Sequence, residues 1–186
     1  MDEKGSFSSD LIADRIPGDR VSFNVRVEKE GYLTQTFKVD TTLGLFGTLE
    51  LDYALVRKEI GTDIGAIINL NPIYFDLNKA EIRPDAAAEL DKIVKIMNEN
   101  PDIKIELGSH TDCRASRSYN QRLSARRAKA SAAYIKARIT NPSRIYGKGY
   151  GESQLVNDCG CEGSVESDCT EEEHQANRRT EFKIIR

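Results

Sequence analysis

Two helical periodicities, each flanked by short alternating apolar segments, run from about residue 67 to the end of the chain, and this succession limits the fold more than any other feature. "IINLNPIYFDLNKAEIRP" reads as a short strand ending at Phe75-Asp76, followed by a polar turn. Pro84 opens a helix, "PDAAAELDKIVKIMNEN", with Leu90, Ile93, Val94 and Met97 at helical spacing. Asp85 sits in its first turn and Asn100-Pro101 stops it. "DIKIELGSH" alternates Ile103, Ile105 and Leu107 as a strand. A long helix over about 119–139 puts Leu123, Ala128, Ala132, Ile135 and Ile139 on its buried side. "RIYGKGYGE" is a strand entering a Gly-rich loop, and "HQANRRTEFKIIR" passes from a helical turn into a final strand. The order β-α-β-α-β-loop-β predicts an α/β fold, a two-layer α+β sandwich with helices packed on one mixed sheet.

The front of the chain obeys a different period. "RVSFNVRV" alternates Val21, Phe23, Val25 and Val27, "GYLTQTFKV" follows a Lys-Glu-Gly turn at 29–31, and "TLELDYALV" alternates Leu49, Leu51, Tyr53 and Leu55. Three such strands make a sheet with a single apolar face, marginal without a partner layer. The turn formers in "EIGTDIGAI" read as a linker. The 186 residues are therefore expected to divide into a small N-terminal β unit over 1–60, a linker at 61–67 and an α/β domain over 68–186.

Composition excludes several classes. A net charge of -3 without a basic block argues against nucleic acid. No apolar run approaches the roughly twenty residues of a transmembrane segment. "MDEKGSFSSD" has neither the basic nor the apolar region of a signal peptide, so an exported chain would need a leader that is missing here. Cys113, Cys159, Cys161 and Cys169 are four in number, and three fall in the polar stretch "CGCEGSVESDC". That pattern fits disulfides in an oxidising compartment. Zinc is the rival, with His110 and His174 as further ligands, but CxC plus an isolated Cys matches zinc spacing poorly. No metal and no cofactor are expected.

"GSHTDCRASRSYNQRLSARRAKA", residues 108–130, places five Arg beside an apolar helix face and asks what the charge is for. Together with "YFDLNKAEI", "GKGYGE" and "NRRTEF" it carries a resemblance. From Ile68 onward the chain resembles the OmpA-like peptidoglycan-binding domain, shared with peptidoglycan-associated lipoproteins and flagellar stator proteins. Ser109 stands where that family normally has Gly before HTD. The resemblance implies non-covalent binding of the peptidoglycan stem peptide, most often at diaminopimelate, in the periplasm beside the outer membrane and cell wall. Diaminopimelate presents an ammonium and a carboxylate on one carbon, so one fixed anion and one fixed cation are needed to read it. Asp112 would accept the ammonium and Arg127, matching the family's LSxxRA, would fork onto the carboxylate. Arg126 lies about 100° round the helix and should face elsewhere. Asn120 and Leu123 would edge the pocket, Asp76 and Thr111 would shape its floor, and one of Arg178 and Arg179 would point toward it. His110 reads as a structural hydrogen-bonder, and "TEEEHQ" as an acidic first helical turn.

The cysteine loop is an addition to the commonest members of that family. Its expected bridges are Cys159–Cys169, closing the loop, and Cys113–Cys161, tethering it beside Asp112, although four cysteines permit three pairings. The front segment, with "GSF" and "EGY", resembles the end of a carboxypeptidase-regulatory-like β-sandwich, which implies envelope-protein partners, including those of type IX secretion and gliding machinery. Wall anchoring is the leading function. A protein–protein adaptor that has lost wall binding is the alternative, and a peptidoglycan hydrolase the third reading. An enzyme is not expected, because the chain has two His, no HExxH and no carboxylate pair with a reason to share a cleft.

Overall fold

The computed structural model describes residues 16–44, 49, 51–161 and 167–186. The chain divides into two units, one drawn from Met1–Val27 and Gln35–Ala54, the other from Glu28–Thr34 and Leu55–Arg186. In the first, β1 (Arg20–Val27) pairs antiparallel with β2 (Gln35–Thr42). Phe23 faces Val39 and Val25 faces Phe37, so the alternating apolar residues of both strands share one side. Tyr53 stacks on Phe37 at 4.0 Å. The third strand read from Leu49 to Leu55 is not formed over 51–55, and 45–48 and 50 lie outside the described residues.

The second unit holds the core. Helix α1 (Ile64–Ile67) and α2 (Pro84–Glu99) precede β3 (Ile105–His110). Then come α3 (Arg117–Lys136), β4 (Ile145–Gly151), α4 (Glu171–Asn177) and β5 (Thr180–Ile184). The sheet runs β4-β3-β5, with β3 parallel to β4 and antiparallel to β5. Ile105, Leu107, Ile145, Phe182 and Ile184 from the sheet, Leu90, Ile93 and Met97 from α2, and Ala128 and Ile135 from α3 are buried together. This is the α/β sandwich expected, with helices on a mixed sheet.

Two segments differ from the expectation. Residues 71–76 form no strand: Ile73 is buried, but Asn71 is turned toward Glu89 of α2, which accepts from both its backbone and side-chain nitrogens at 3.0 Å. The 61–67 segment is no free linker. Gly61 donates to Ile184, Ile184 donates to Thr62, and Asp63 caps α1 while accepting from Phe182 N at 2.8 Å. Buried Ile64 supplies the apolar anchor that a list of turn formers conceals.

Residues 28–34 also belong to this unit. Leu33 is 1% exposed, and its amide donates to Val56. The Asn100 side chain meets Thr34 as a strand would, accepting from its N at 2.7 Å and donating to its O at 2.9 Å. Buried Arg144 closes the end of α2 by donating to the carbonyls of Met97, Asn100 and Ile103. Among the described residues no helix is long and apolar enough to cross a membrane.

Candidate functional site

The glycines of "YGKGYG" bring α3 onto the sheet. A Cβ at Gly147 would lie 2.2 Å from Ala128 O, and one at Gly149 would lie 2.2 Å from Ala125 N. Strand and helix backbones therefore touch, and Ser124 accepts from Gly151 N at 2.9 Å to fix the register. This contact holds the first turn of α3 beside the end of β3, where the chain leaves the sheet through Thr111, Asp112 and Cys113. Ser116 caps α3 by accepting from Tyr119 N.

Asp112, 8% exposed, sits in a ring of four charges. Its Oδ2 accepts from Arg178 Nη1 at 2.6 Å and from Arg114 Nη2 at 2.8 Å and Nε at 3.1 Å. Glu171, at the start of α4, accepts from Arg114 Nη1 at 2.7 Å and from Arg178 Nη2. Burial works against the charge of Asp112, but hydrogen bonds from Arg114 and Arg178 outweigh it and keep the carboxyl below its usual range. Hydrogen bonds donated to Glu171 and then to Asp112 raise Arg114 above the ordinary guanidinium value. Among the described residues Asp112 Oδ1 accepts only Arg114 N, at 3.2 Å, and so retains a lone pair.

Arg127 is in a different condition. It is half-buried, its guanidinium lies 4.9 Å over the Phe75 ring, and it donates to the carbonyls of Lys79 (3.1 Å) and Asp76 (3.4 Å). Among the described residues it pairs with no carboxylate, and its Nη1 makes no hydrogen bond. Burial pushes it below the ordinary arginine value, and the charges of Asp112 and Arg178 both act on it. Arg126 beside it is exposed.

The structure does not bring Asp112 and Arg127 into contact; they are electrostatic neighbours, each held by other groups. Arg178 joins Asp112 directly, while Arg179 turns to Glu181 (2.8 Å) and Gln154 O (3.0 Å). Asn120 and Leu123 are buried rather than exposed at a pocket edge. Asn120 instead donates to the carbonyls of Asp112 and Ala115 and to Glu152 Oε2, which fixes the loop. The Asp76 carboxylate is exposed and paired with Lys79 and Arg83, each at 3.3 Å, leaving only its carbonyl on Arg127. Thr111 is buried, with its hydroxyl unpartnered among the described residues. Among the described residues the His110 ring has no hydrogen-bond partner; it stacks parallel on Tyr150 at 5.0 Å. Arg114, Glu171 and Gln175 are additions that the residue pattern did not single out, and "TEEEHQ" was the one trace of them.

Cys113 is bonded to Cys161 and Cys159 to Cys169. With every thiol oxidised, the cluster of Cys159, Cys169 and Glu173 offers no thiolate to a metal. An open concavity of about 490 Å³ lies between the start of α3 and the end of β4, lined by Arg117, Ser118, Gln121, Tyr150, Glu152 and Ser153. None of Asp112, Arg127 and Arg178 lines it, and its charges are satisfied, so the arginine-rich rim is the better candidate site.

The charged rim lies where strand meets helix in a two-layer α/β domain. The chain belongs to the OmpA family, whose model matches residues 74–168. Outer membrane porin F of Pseudomonas fluorescens is 31% identical over 112 residues, 60% of this chain and 32% of that protein. A peptidoglycan-associated lipoprotein of Rhizobium meliloti (strain 1021) is 36% identical over 87 residues, 47% of this chain and 49% of that protein. The chain thus spans half or less of these relatives. Among solved structures, a putative MotB-like protein from Desulfovibrio vulgaris superposes with a TM-score of 0.51 at 22% identity, over 61% of this chain and 68% of that one. The C-terminal domain of Helicobacter pylori MotB gives 0.51 at 20% identity, over 61% and 83%. Both likenesses speak for the fold.

Proposed function

We propose that this chain is a periplasmic anchoring module that binds the peptidoglycan stem peptide at diaminopimelate and tethers an outer-membrane or envelope complex to the cell wall. One observation carries the reading: Arg127 is a half-buried guanidinium bonded only to carbonyls, without a counter-ion among the described residues. Such a group is completed by a carboxylate from outside. The spare lone pair on Asp112 Oδ1 supplies the matching acceptor for an ammonium. The names of the relatives, one of them a peptidoglycan-associated lipoprotein, agree with this chemistry. Binding needs no bond-breaking group, so the module acts by holding. The front β unit would meet envelope proteins, with type IX secretion or gliding machinery as the setting its sequence resemblance suggests.

Occupation of Asp112 Oδ2 by Arg114 and Arg178 favours the rival reading, an adaptor of OmpA fold without wall binding. Pull-down on purified sacculi separates the two. Arg127→Ala should lower retention at least tenfold, the loss of one charge-assisted carboxylate contact of about 1.5–3 kcal/mol, while the thermal transition stays within about 2 °C. Equal retention by both proteins would favour the adaptor, and muropeptide release from the sacculi would instead reveal a hydrolase.

A further inference from the structure

We propose that Arg114 and Arg178 form a second carboxylate seat, and that Glu171 is its internal occupant, displaced when a ligand carboxylate arrives. This deepens the site reading above and depends on it only for the identity of the ligand.

Each oxygen of Glu171 takes one arginine, Oε2 from Arg114 Nη1 and Oε1 from Arg178 Nη2. That is the pattern a free carboxylate would adopt between two forks. Glu171 is also the most accessible member of the ring, with its side chain 61% exposed against 12% for Asp112. A bond at such a position is screened by water and easily exchanged.

The seat outlasts the departure of its occupant. Arg114 remains held on Asp112 through Nε and Nη2. Arg178 remains held on Asp112 through Nη1 and on Gln175 Oε1 through Nε at 3.0 Å. Helix α4 does not rely on Glu171 either, because Thr170 and Glu173 close a reciprocal capping box at its start. Both forks therefore stay aimed at one point, and a ligand meets little ordering cost there.

The ligand chemistry follows from what surrounds the seat. Among the described residues Asp112 Oδ1 is open to an ammonium, and the charge of Arg127 reaches Asp112 and Arg178. A peptide with one ammonium and two neighbouring carboxylates can satisfy all three positions, whereas a plain zwitterion leaves Glu171 in place. The module then prefers acidic stem peptides over those whose second carboxylate is amidated.

Glutarate, a dicarboxylate with no link to cell walls, probes the seat alone. The arginine Nε–Hε resonances of the full chain would be followed by NMR at constant ionic strength, for the wild type, Glu171→Gln and Arg114→Gln. The signals of Arg114 and Arg178 should move with glutarate. Half-saturation should fall about fivefold in E171Q, the effect of removing the two screened ion pairs of one exposed carboxylate. In R114Q the Arg178 response should be lost. Equal midpoints in wild type and E171Q, or movement of Arg127 alone, would overturn the seat. A second titration with L-Ala-γ-D-Glu-meso-diaminopimelate tests the ligand: if glutarate behaves as stated and this tripeptide does not bind, the seat stands and the stem-peptide reading falls.

Discussion

Position 110 shows how a side chain next to the charged rim is kept out of it. His110 is buried against Tyr150, with Glu181 Oε2 3.4 Å from Nε2 but not in hydrogen-bonding geometry. Burial, reinforced by the charge of Arg179, lowers its pKa from 6.5 to about 4, against the opposing pull of Glu181. The ring is therefore neutral in the folded protein at neutral pH. Between pH 6.5 and about 4 the unfolded chain binds a proton that the native protein refuses, so stability falls as pH drops through that window. The loss should approach about 3 kcal/mol. Urea unfolding at pH 7 and pH 4.5 should show it, and His110→Gln should remove most of the difference; an unchanged slope would mean the proton goes elsewhere. At this scale the sequence was legible where chemistry is local. The opposite charges of Asp112 and Arg127 could be read from their motif, but the partners of Asp112 could not. Arg114 looked like one more solvated arginine, and Glu171 lies 57 residues from it in sequence. Only folding joins them.

At the scale of elements, the contact between α3 and β4 decides whether the rim exists. Alternate glycines on β4 leave room for a helix backbone, and α3 answers with Ser124, Ala125 and Ala128. Gly149→Ala would place a methyl 2.2 Å from Ala125 N and 2.6 Å from its Cα, where no flexible side chain can yield. Overpacking of this kind costs about 1–3 kcal/mol, and urea denaturation should find the upper end of that range. Sacculus retention should fall in parallel, because the first turn of α3 moves with the helix. The periodicity of α2, α3 and β5 was plain in the sequence, since each turns its buried residues to one side, whereas β3 is buried over nearly its whole length and was legible through Ile103, Ile105 and Leu107. Residues 71–76 misled because Ile73 and Phe75 alternate like a strand, although among the described residues no neighbouring edge pairs with them. The inserted loop is a second lever on the rim. Cys113–Cys161 spans a separation of 48 residues and starts next to Asp112. Replacing both cysteines with Ser removes a constraint worth up to about 4 kcal/mol, so affinity must be compared well below the lowered Tm. There, retention on sacculi should drop several-fold although the fold persists, and equal retention would make the bridge purely structural.

For the molecule as a whole, the decisive question is where the second unit begins. Sequence periodicity put the boundary in the turn formers around 61–67, because composition changes there. The packing puts it elsewhere, since Glu28–Thr34 is built into the second unit. Leu33 lies in the same core as Leu90, Ile93 and Met97, and Asn100, itself wholly buried, spends its amide on Thr34 and on Ile96 O. A chain started at residue 55 would lose Leu33 and leave the buried Asn100 amide short of two partners. Deleting a core leucine costs about 2–5 kcal/mol, and each buried polar group left unpaired adds about 1–3 kcal/mol. Leu33→Ala in the full chain isolates the first contribution, and a chain of residues 28–186 restores both. Urea unfolding should therefore rank full chain and 28–186 together, Leu33→Ala below them, and 55–186 lowest. If 55–186 matched the full chain, residues 28–34 would be a passive attachment and the boundary would return to the linker. The expected ranking has a functional consequence: a protein that anchors through this module cannot be divided at its change of composition, because the short hairpin segment before that point is part of the core that holds the rim in shape.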